Sequence, residues 1–256
     1  MDILTNRFKA GLNEGHRQIG LWCSLASSIS TEVVAGSGFD WLLLDMEHSA
    51  NDLRDIYAQI QVMTEGTASA VVRVPSDEPI TIKRILDTGV QSLMIPNIDD
   101  ADQACRAVAA TRYAPRGIRG FSQAPRAARF GRIPDYHARC EAEICVVVQI
   151  ESRRALDNLE EIAAVEGVDG IFIGPGDLST SLGYLGQQNH PDVVQVVEDA
   201  ISRIRTTGKP AGILTANEEL AHRYIAAGTR FTAVGSDIGL LARTSEALAA
   251  RFRVDA

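Results

Sequence analysis

Glu151 and Asp177 carry the strongest chemical signal in the chain. Each follows a short β-branched run, C-V-V-V-Q-I-E-S over 145–152 and V-D-G-I-F-I-G-P-G-D-L-S over 168–179, with a helical interval between them. Two successive parallel strands joined by a helix bring their C-terminal ends side by side, so the two carboxylates should meet. Asp177 opens the next helix, which adds a row of free backbone N–H groups. A hard divalent cation takes oxygen ligands of this kind, and a small anion takes such N–H groups. The pair therefore points to a metal-assisted site for a small carboxylate substrate. Either acid alone is equally well explained as a first-turn helix residue favoured by the dipole; their conjunction on neighbouring strand ends favours a cation. Two carboxylates with waters suit Mg²⁺, Mn²⁺ or Co²⁺ better than structural zinc, which prefers Cys and His.

These groups need a frame, and the hydrophobic periodicity supplies one. Strands are predicted over 18–23, 40–45, 69–74, 91–95, 144–149, 168–173, 210–214 and 230–235. Helices fill the gaps near 30–37, 52–64, 78–88, 99–110, 152–164, 191–207, 216–227 and 237–252, after an amphipathic N-terminal helix over 4–14 with Leu4, Phe8 and Leu12 on one stripe. Ser30, Asn51 and Asn217 are the expected N-caps, and glycines at 38, 89, 167, 208 and 228 follow helices. Eight such units in 256 residues are what an eight-stranded parallel β/α (TIM) barrel requires, as one domain over 1–256. An open doubly wound sheet is the runner-up, but no strand is followed by a glycine-rich dinucleotide fingerprint. The Arg-, Gly- and Pro-rich segment 112–135 is too long for an ordinary connection and reads as a lid, a substrate contact or a subunit contact.

In such a barrel the site lies at the C-terminal ends of the strands. Those ends supply Trp22 and Cys23, then Asp45, Glu47 and His48, then Arg73, then Pro96 and Asn97. Gln149, Glu151, Gly174 to Asp177, Leu214, Ser236 and Asp237 complete the rim. Arg73 ends an otherwise apolar strand, so it needs an anion; a substrate oxyanion and an ion pair with Asp45 or Glu47 both qualify. His48 beside carboxylates is placed to relay protons near neutral pH. Asp87 reads as a helix-end residue, Arg119 as an anion contact or a solvated basic side chain, and Ser236 with Asp237 as a helix cap. Lys83 and Lys209 are badly placed for a Schiff base, the one on a helix and the other before a strand.

With these residues in view, the chain resembles the HpcH/HpaI aldolase family, the metal-dependent class II pyruvate aldolases. The matching stretches span nearly all of it: G-F-D-W-L-L-L-D-x-E-H (38–48), V-V-R-V-P (71–75), I-K-R-I-L-D (82–87), R-Y-A-P-x-G-I-R-G (112–120), V-Q-I-E-S (148–152), E-G-V-D-G-I-F-I-G-P-x-D-L-S (166–179) and H-P-D-V (190–193). The resemblance implies reversible cleavage of a 4-hydroxy-2-oxo acid, of the 4-hydroxy-2-oxoheptanedioate or 2-dehydro-3-deoxyglucarate type, to pyruvate and an aldehyde. It implies metal ligands at Glu151 and Asp177, an enolate-stabilising Arg73, a Gln149 near the substrate carbonyl, and a proton-relay His48 with Asp45 beside it. It also implies that Asp87 arrives from an adjacent subunit, that the pyruvate carboxylate meets backbone around Gly176 and Asp177, and that Trp22 and Leu214 line the substrate space. The expected assembly is a homohexamer, a trimer of dimers exchanging terminal helices. Two departures stand out: Met46 replaces the glycine of D-G-E-H, with Ser49-Ala50 after it for the usual A-P, and Gly176 stands where relatives carry alanine or serine. A side chain at 46 is expected to disturb the loop beside the base.

Composition narrows the class further. A formal charge of −8 argues against nucleic acid or an anionic membrane as partner, and no apolar run approaches a membrane span. The first ten residues lack an apolar signal core, so a cytoplasmic protein is expected. Cys23, Cys105, Cys140 and Cys145 show no metal or redox spacing, and Cys23 and Cys145 lie in buried-strand runs as free thiols. Two alternatives to the aldolase remain at this stage: a citrate-lyase-type enzyme acting on CoA thioesters, and a non-catalytic barrel that binds a small acid.

Overall fold

Eight parallel strands close into a barrel in sequence order, each hydrogen-bonded to its neighbours and the last to the first. The structure, a computed structural model, describes residues 3 and 5–253. The strands are β1 (Gln18–Cys23), β2 (Trp41–Asp45), β3 (Ser69–Arg73), β4 (Ser92–Ile95), β5 (Cys145–Ile150), β6 (Gly170–Ile173), β7 (Ala211–Leu214) and β8 (Phe231–Ser236). The helices are α1 (Arg7–Asn13), α2 (Ser28–Ala35), α3 (Leu53–Val62), α4 (Pro79–Asp87), α5 (Ala101–Thr111) and α6 (Tyr136–Arg139). They continue with α7 (Arg153–Asp157), α8 (Leu159–Ala164), α9 (Pro175–Ser181), α10 (Pro191–Thr206), α11 (Glu218–Ala227) and α12 (Asp237–Phe252). The predicted eight-stranded barrel is therefore the observed one. Among the described residues no helix is long and apolar enough to cross a membrane.

Side chains alternate across a strand, and that period sorts the barrel into two cores. Leu42 and Leu44 of β2, Val72 of β3, Leu93 and Ile95 of β4 and Val146 and Val148 of β5 face outward, onto the helices. Trp41, Leu43, Val71, Met94, Cys145, Val147, Phe172, Phe231 and Ala233 face inward. The N-terminal end of the barrel is stoppered by α1, whose Phe8 ring lies 5.6 Å from both Trp41 and Phe231. Burying a phenylalanine so completely contributes about 1.5–3 kcal/mol. Asn6 caps α1 through Lys9 N (3.0 Å) and ties it to the barrel by donating to Ser92 Oγ at 2.9 Å. Two glycines make room for the large rings: a Cβ at Gly20 would enter Trp41, and one at Gly212 would enter Phe231.

Local chemistry moved several boundaries. Leu4, the first residue of the predicted N-terminal stripe, lies outside the described residues. The α2 N-cap is Ser27, not Ser30. The α3 N-cap is Asp52, in a reciprocal capping box with Asp55, which leaves Asn51 free for other bonds. Asn217 caps α11 as predicted. The single helix expected over 152–164 is two, broken at Asn158, whose side chain is drawn to the Asp99 carbonyl at 2.8 Å. Segment 112–135 follows α5 and leads to β5, so it lies at the N-terminal end of the barrel. Its Arg126, Ala127 and Ile133 line a cavity with Asn6, Ser69 and Ser92 at the strand starts, so it is not a lid over the opposite rim of its own chain. The last helix differs from the others. Asp237 is its only buried residue, while Ile238, Leu240, Leu241, Leu248 and Phe252 stand exposed.

Candidate active site

Inward-facing positions change from apolar to polar at the C-terminal end of the strands. Following the period of two, Trp41 and Leu43 lead to Asp45, Val71 to Arg73, and Cys145 and Val147 to Gln149 and Glu151. Asp45 and Arg73 are register partners on neighbouring strands, so their side chains meet. Arg73 Nε donates to Asp45 Oδ1 at 2.8 Å and Nη2 to Oδ2 at 2.7 Å, a bidentate pair. Its third nitrogen, Nη1, lies 2.8 Å from Glu47 Oε2 as an ion pair without hydrogen-bond geometry. The Trp22 indole donates to Asp45 Oδ2 at 3.2 Å, and the guanidinium sits 5.0 Å from the Trp22 ring centroid. Both acids offered as ion-pair partners for Arg73 are thus engaged at once, in a group that is only 6% exposed.

The carboxylates differ in protonation for stated reasons. Burial alone would raise Asp45, but the Arg73 bonds and charge, the Glu47 N–H and the Trp22 indole outweigh it and hold it below the usual range. Glu47 is raised, mainly by burial, with Asp45 and Asp177 pushing the same way and Arg73 and His48 opposing. Glu151 is pushed up to about 7, first by burial and then by the charges of Glu47 and Asp177, against the opposing bonds from Asn97 and Gln149. It accepts from Asn97 N at 2.8 Å and from Gln149 Nε2. Gln149 Oε1 is buried without a partner. Gly174 has to be glycine here, since a Cβ would collide with Glu151 Oε2 and Gln149 Nε2.

This donor set fits a hard cation. Among the described residues no three His, Cys, Asp or Glu side chains gather closely enough to hold an ion alone. Mg²⁺-like ions are, however, bound by one or two carboxylates with substrate and water completing the shell. Glu151, destabilised as an anion by burial and then by two neighbouring acids, is a group that a cation would neutralise, and Gln149 bonded to it keeps an unpaired buried oxygen.

The structure brings together Trp22, Asp45, Arg73, Gln149, Glu151 and Asp177 at one rim, with His48, Gly176 and Leu214 around it. His48 has 64% of its side chain exposed, with Nε2 4.0 Å from Glu47 Oε2. Leu214 packs against the inner cluster. Gly176 has open space at its Cβ position. Asp87 is not at this rim. It ends α4, which leads to the start of β4, and it pairs with Arg119 Nη2 at 2.8 Å. Arg119 is no solvated loop residue: its side chain is fully buried and stacks 4.6 Å from the Tyr113 ring. Ser236 caps α12, and Asp237 accepts from Ser24 N and Leu25 N after β1, so the cap prediction holds. Lys209 Nζ donates to the Val168 carbonyl at the far end of the barrel.

Met46 continues the outward set of Leu42 and Leu44 and packs partly buried against the outer core, on the face opposite to Asp45 and Arg73. Glu47 and Asn97 mattered more than their sequence context suggested. Asn97 adopts φ 57°, and its Nδ2 donates to Glu47 Oε1 at 2.9 Å. An Asn directly after an apolar strand and a proline, a position suited to left-handed backbone, was the available signal.

Residues 18–244 match the family model described as HpcH/HpaI aldolase/citrate lyase. The chain is 54% identical over 252 residues to a pyruvate aldolase of Rhizobium etli, covering 98% of this chain and 99% of that one. It is 51% identical over 254 residues to a 4-hydroxy-2-oxo-heptane-1,7-dioate aldolase of Escherichia coli, covering 99% and 97%. The crystal structure of an HpcH/HpaI aldolase/citrate lyase family protein from Burkholderia cenocepacia superposes with a TM-score of 0.94 at 39% identity, covering 98% and 100%.

Proposed function

The chain belongs to the HpcH/HpaI aldolase/citrate lyase family, and we propose that the rim is the active site of a divalent-metal-dependent class II aldolase. The enzyme is a carbon–carbon lyase that cleaves 4-hydroxy-2-oxo acids reversibly to pyruvate and an aldehyde. One observation carries the site assignment: the buried Glu151, held by Asn97 N and Gln149 Nε2 with the charges of Glu47 and Asp177 bearing on it, shares a rim with an arginine clamped by Asp45 and Glu47.

Glu151 and Asp177 would hold the ion. When bound, such an ion supplies Lewis-acid stabilisation to the 2-oxo and carboxylate oxygens of the substrate. Arg73 adds fixed positive charge at the developing oxyanion, and Asp45 and Glu47 keep it from turning away. Gln149 orients the substrate carbonyl, and the backbone at Gly176 and Asp177 receives the pyruvate carboxylate. Trp22 and Leu214 form the apolar wall. His48, the exposed member of the set, takes the C4 hydroxyl proton in cleavage and returns it in condensation.

Asp87 is the acid expected to pair with His48, and it lies at the opposite end of its own barrel, so that pairing requires the partner subunit's Asp87. An assembly that exchanges terminal helices, a homohexamer as a trimer of dimers, would cover the apolar residues of α12 and the exposed Ile29 and Val33 of α2. We place this single-domain enzyme in the cytoplasm.

The test is pyruvate release from 4-hydroxy-2-oxoheptanedioate and from 2-dehydro-3-deoxyglucarate by metal-stripped protein, with and without Mg²⁺, Mn²⁺ or Co²⁺. Release restored by metal is the expected result, and the ratio of the two rates chooses the acceptor aldehyde. Release unaffected by stripping and restoring metal would overturn the ligand assignment.

A further inference from the structure

Helix α3 buries an amide that the reaction does not use. Ile56, Gln59 and Ile60 form its buried stripe, and Gln59 is 1% exposed. A buried amide destabilises the fold unless its hydrogen bonds are made, whereas an apolar side chain of the same length would fill the position freely. Gln59 makes its bonds in a line that ends at the rim. Its Nε2 donates to Asn51 Oδ1 at 2.6 Å. Asn51 Nδ2 in turn donates to the Asp45 carbonyl at 2.7 Å and lies 3.0 Å from Ser49 Oγ. Ser49 Oγ donates to the same carbonyl. Behind Gln59, Thr31 Oγ1 on α2 lies 3.0 Å from Gln59 Oε1 and 2.9 Å from the Ser27 carbonyl, sharing its one proton between them. Thr31 and Asn51 are buried as well.

We propose that Thr31, Gln59 and Asn51 form a buried relay of positioning residues that fixes the Asp45–His48 turn, and with it Glu47 and His48, against the ligand carboxylates. Asp45 is the hub of that turn. Its side chain accepts from Arg73, from Trp22 and from the Glu47 N–H at 3.0 Å, while its carbonyl accepts from Ser49 and Asn51 on the other side. With both sides of the hub bonded, the backbone leading to Glu47 has one path. Ser49, the residue found here in place of an alanine, adds a second hydroxyl bond to the same carbonyl. Cutting the relay at Gln59 leaves Asn51 free to rotate and the carbonyl free to tilt. Gln149 on β5 and the backbone of α9 make no bond to Thr31, Gln59 or Asn51.

The relay rests on the aldolase reading of the rim. Its test compares wild type with Gln59→Met, which keeps length and apolar packing, and with Thr31→Val, which keeps shape and removes only the far hydroxyl. Each is assayed as the full Mg²⁺-loaded protein for cleavage rate per folded molecule and for pyruvate binding by calorimetry. Gln59→Met should lower kcat by about tenfold or more, since ångström-scale misplacement of a reacting group costs up to about a hundredfold, with a change in the Kd for pyruvate of less than about threefold, because the bidentate Asp45–Arg73 pair stays closed. Thr31→Val should lower kcat by about threefold, the worth of one neutral hydrogen bond. An unchanged kcat in folded Gln59→Met overturns the relay, as does a loss shared equally by kcat and pyruvate binding, which marks a merely structural role. Should Gln59→Met not fold, an unchanged kcat in Thr31→Val overturns it. Wild type that releases no pyruvate from either substrate overturns the aldolase reading first and the relay with it.

Discussion

The two ends of this barrel are built from the same strands and do opposite things. Each end holds a buried arginine paired with an aspartate, Asp45–Arg73 at the rim and Asp87–Arg119 at the base. At the base the inward positions are apolar, with Trp41 and Phe231 the largest beneath Phe8 of α1. At the rim the inward positions turn polar: two carboxylates, Asp45 and Glu47, hold one guanidinium, and the charges of Glu47 and Asp177 bear on the buried Glu151. Folding alone would favour apolar residues at both ends, because buried charges rarely stabilise a protein more than well-packed hydrocarbon. A rim that keeps Glu151 where its own charge is unfavourable is organised around something it binds.

That contrast can be broken by single substitutions. The largest effect is expected from Glu151→Gln, which should lower cleavage by about a thousandfold. In metal-free protein the same change should raise stability at neutral pH. The unfolded chain gives up this proton near 4.5, while the folded protein keeps it to about 7. Metal-free wild type therefore loses stability as pH rises through that window, by a few kcal/mol, and denaturation of the Gln variant should show no such loss. Parallel pH profiles for the two proteins would remove the basis for a strained carboxylate.

Arg73→Lys should cost about a hundredfold in kcat, because one ammonium cannot span Asp45 and Glu47 together; a shift in KM alone would assign Arg73 to ground-state binding. Phe8→Ala, at the closed end, should cost about 3–5 kcal/mol in chemical denaturation while kcat per folded molecule stays at the wild-type value. Any specific kcat loss there would mean that the two ends are coupled. The smallest effect is expected from Met46→Gly. It should change kcat by less than about threefold, since the side chain faces the outer core, and cost about 1–3 kcal/mol of stability.

Much of the rim was legible from residue order. Asp45, Arg73, Gln149 and Glu151 each continue an inward apolar series at its C-terminal end, so alternation and a turn sufficed to place them. Asn51 was misread as a helix cap because Asp52, one residue later, competes for the same role and has an acidic partner at Asp55 to complete the box. Segment 112–135 was read for its composition, but only its place between α5 and β5 shows which end of the barrel it occupies. Arg119 reads equally as an anion contact or a solvated side chain, because nothing local reveals that Asp87 pairs with it and that Tyr113 stacks on it.

The sequence by itself determined which residue types end each strand, which face of each strand they occupy and how many βα units there are, because these depend on periods of two and 3.6 residues and on caps a few residues away. Only the tertiary structure decided that Arg73 takes Asp45 and Glu47 together, that Asp87 is held at the far end from His48, that Met46 turns outward, and that α12 leaves its own barrel with its apolar residues uncovered. Those outcomes depend on strand register and on closure of β8 against β1, which bring together groups that are dozens of residues apart, and no local pattern records which of several competing partners a long-range contact will choose.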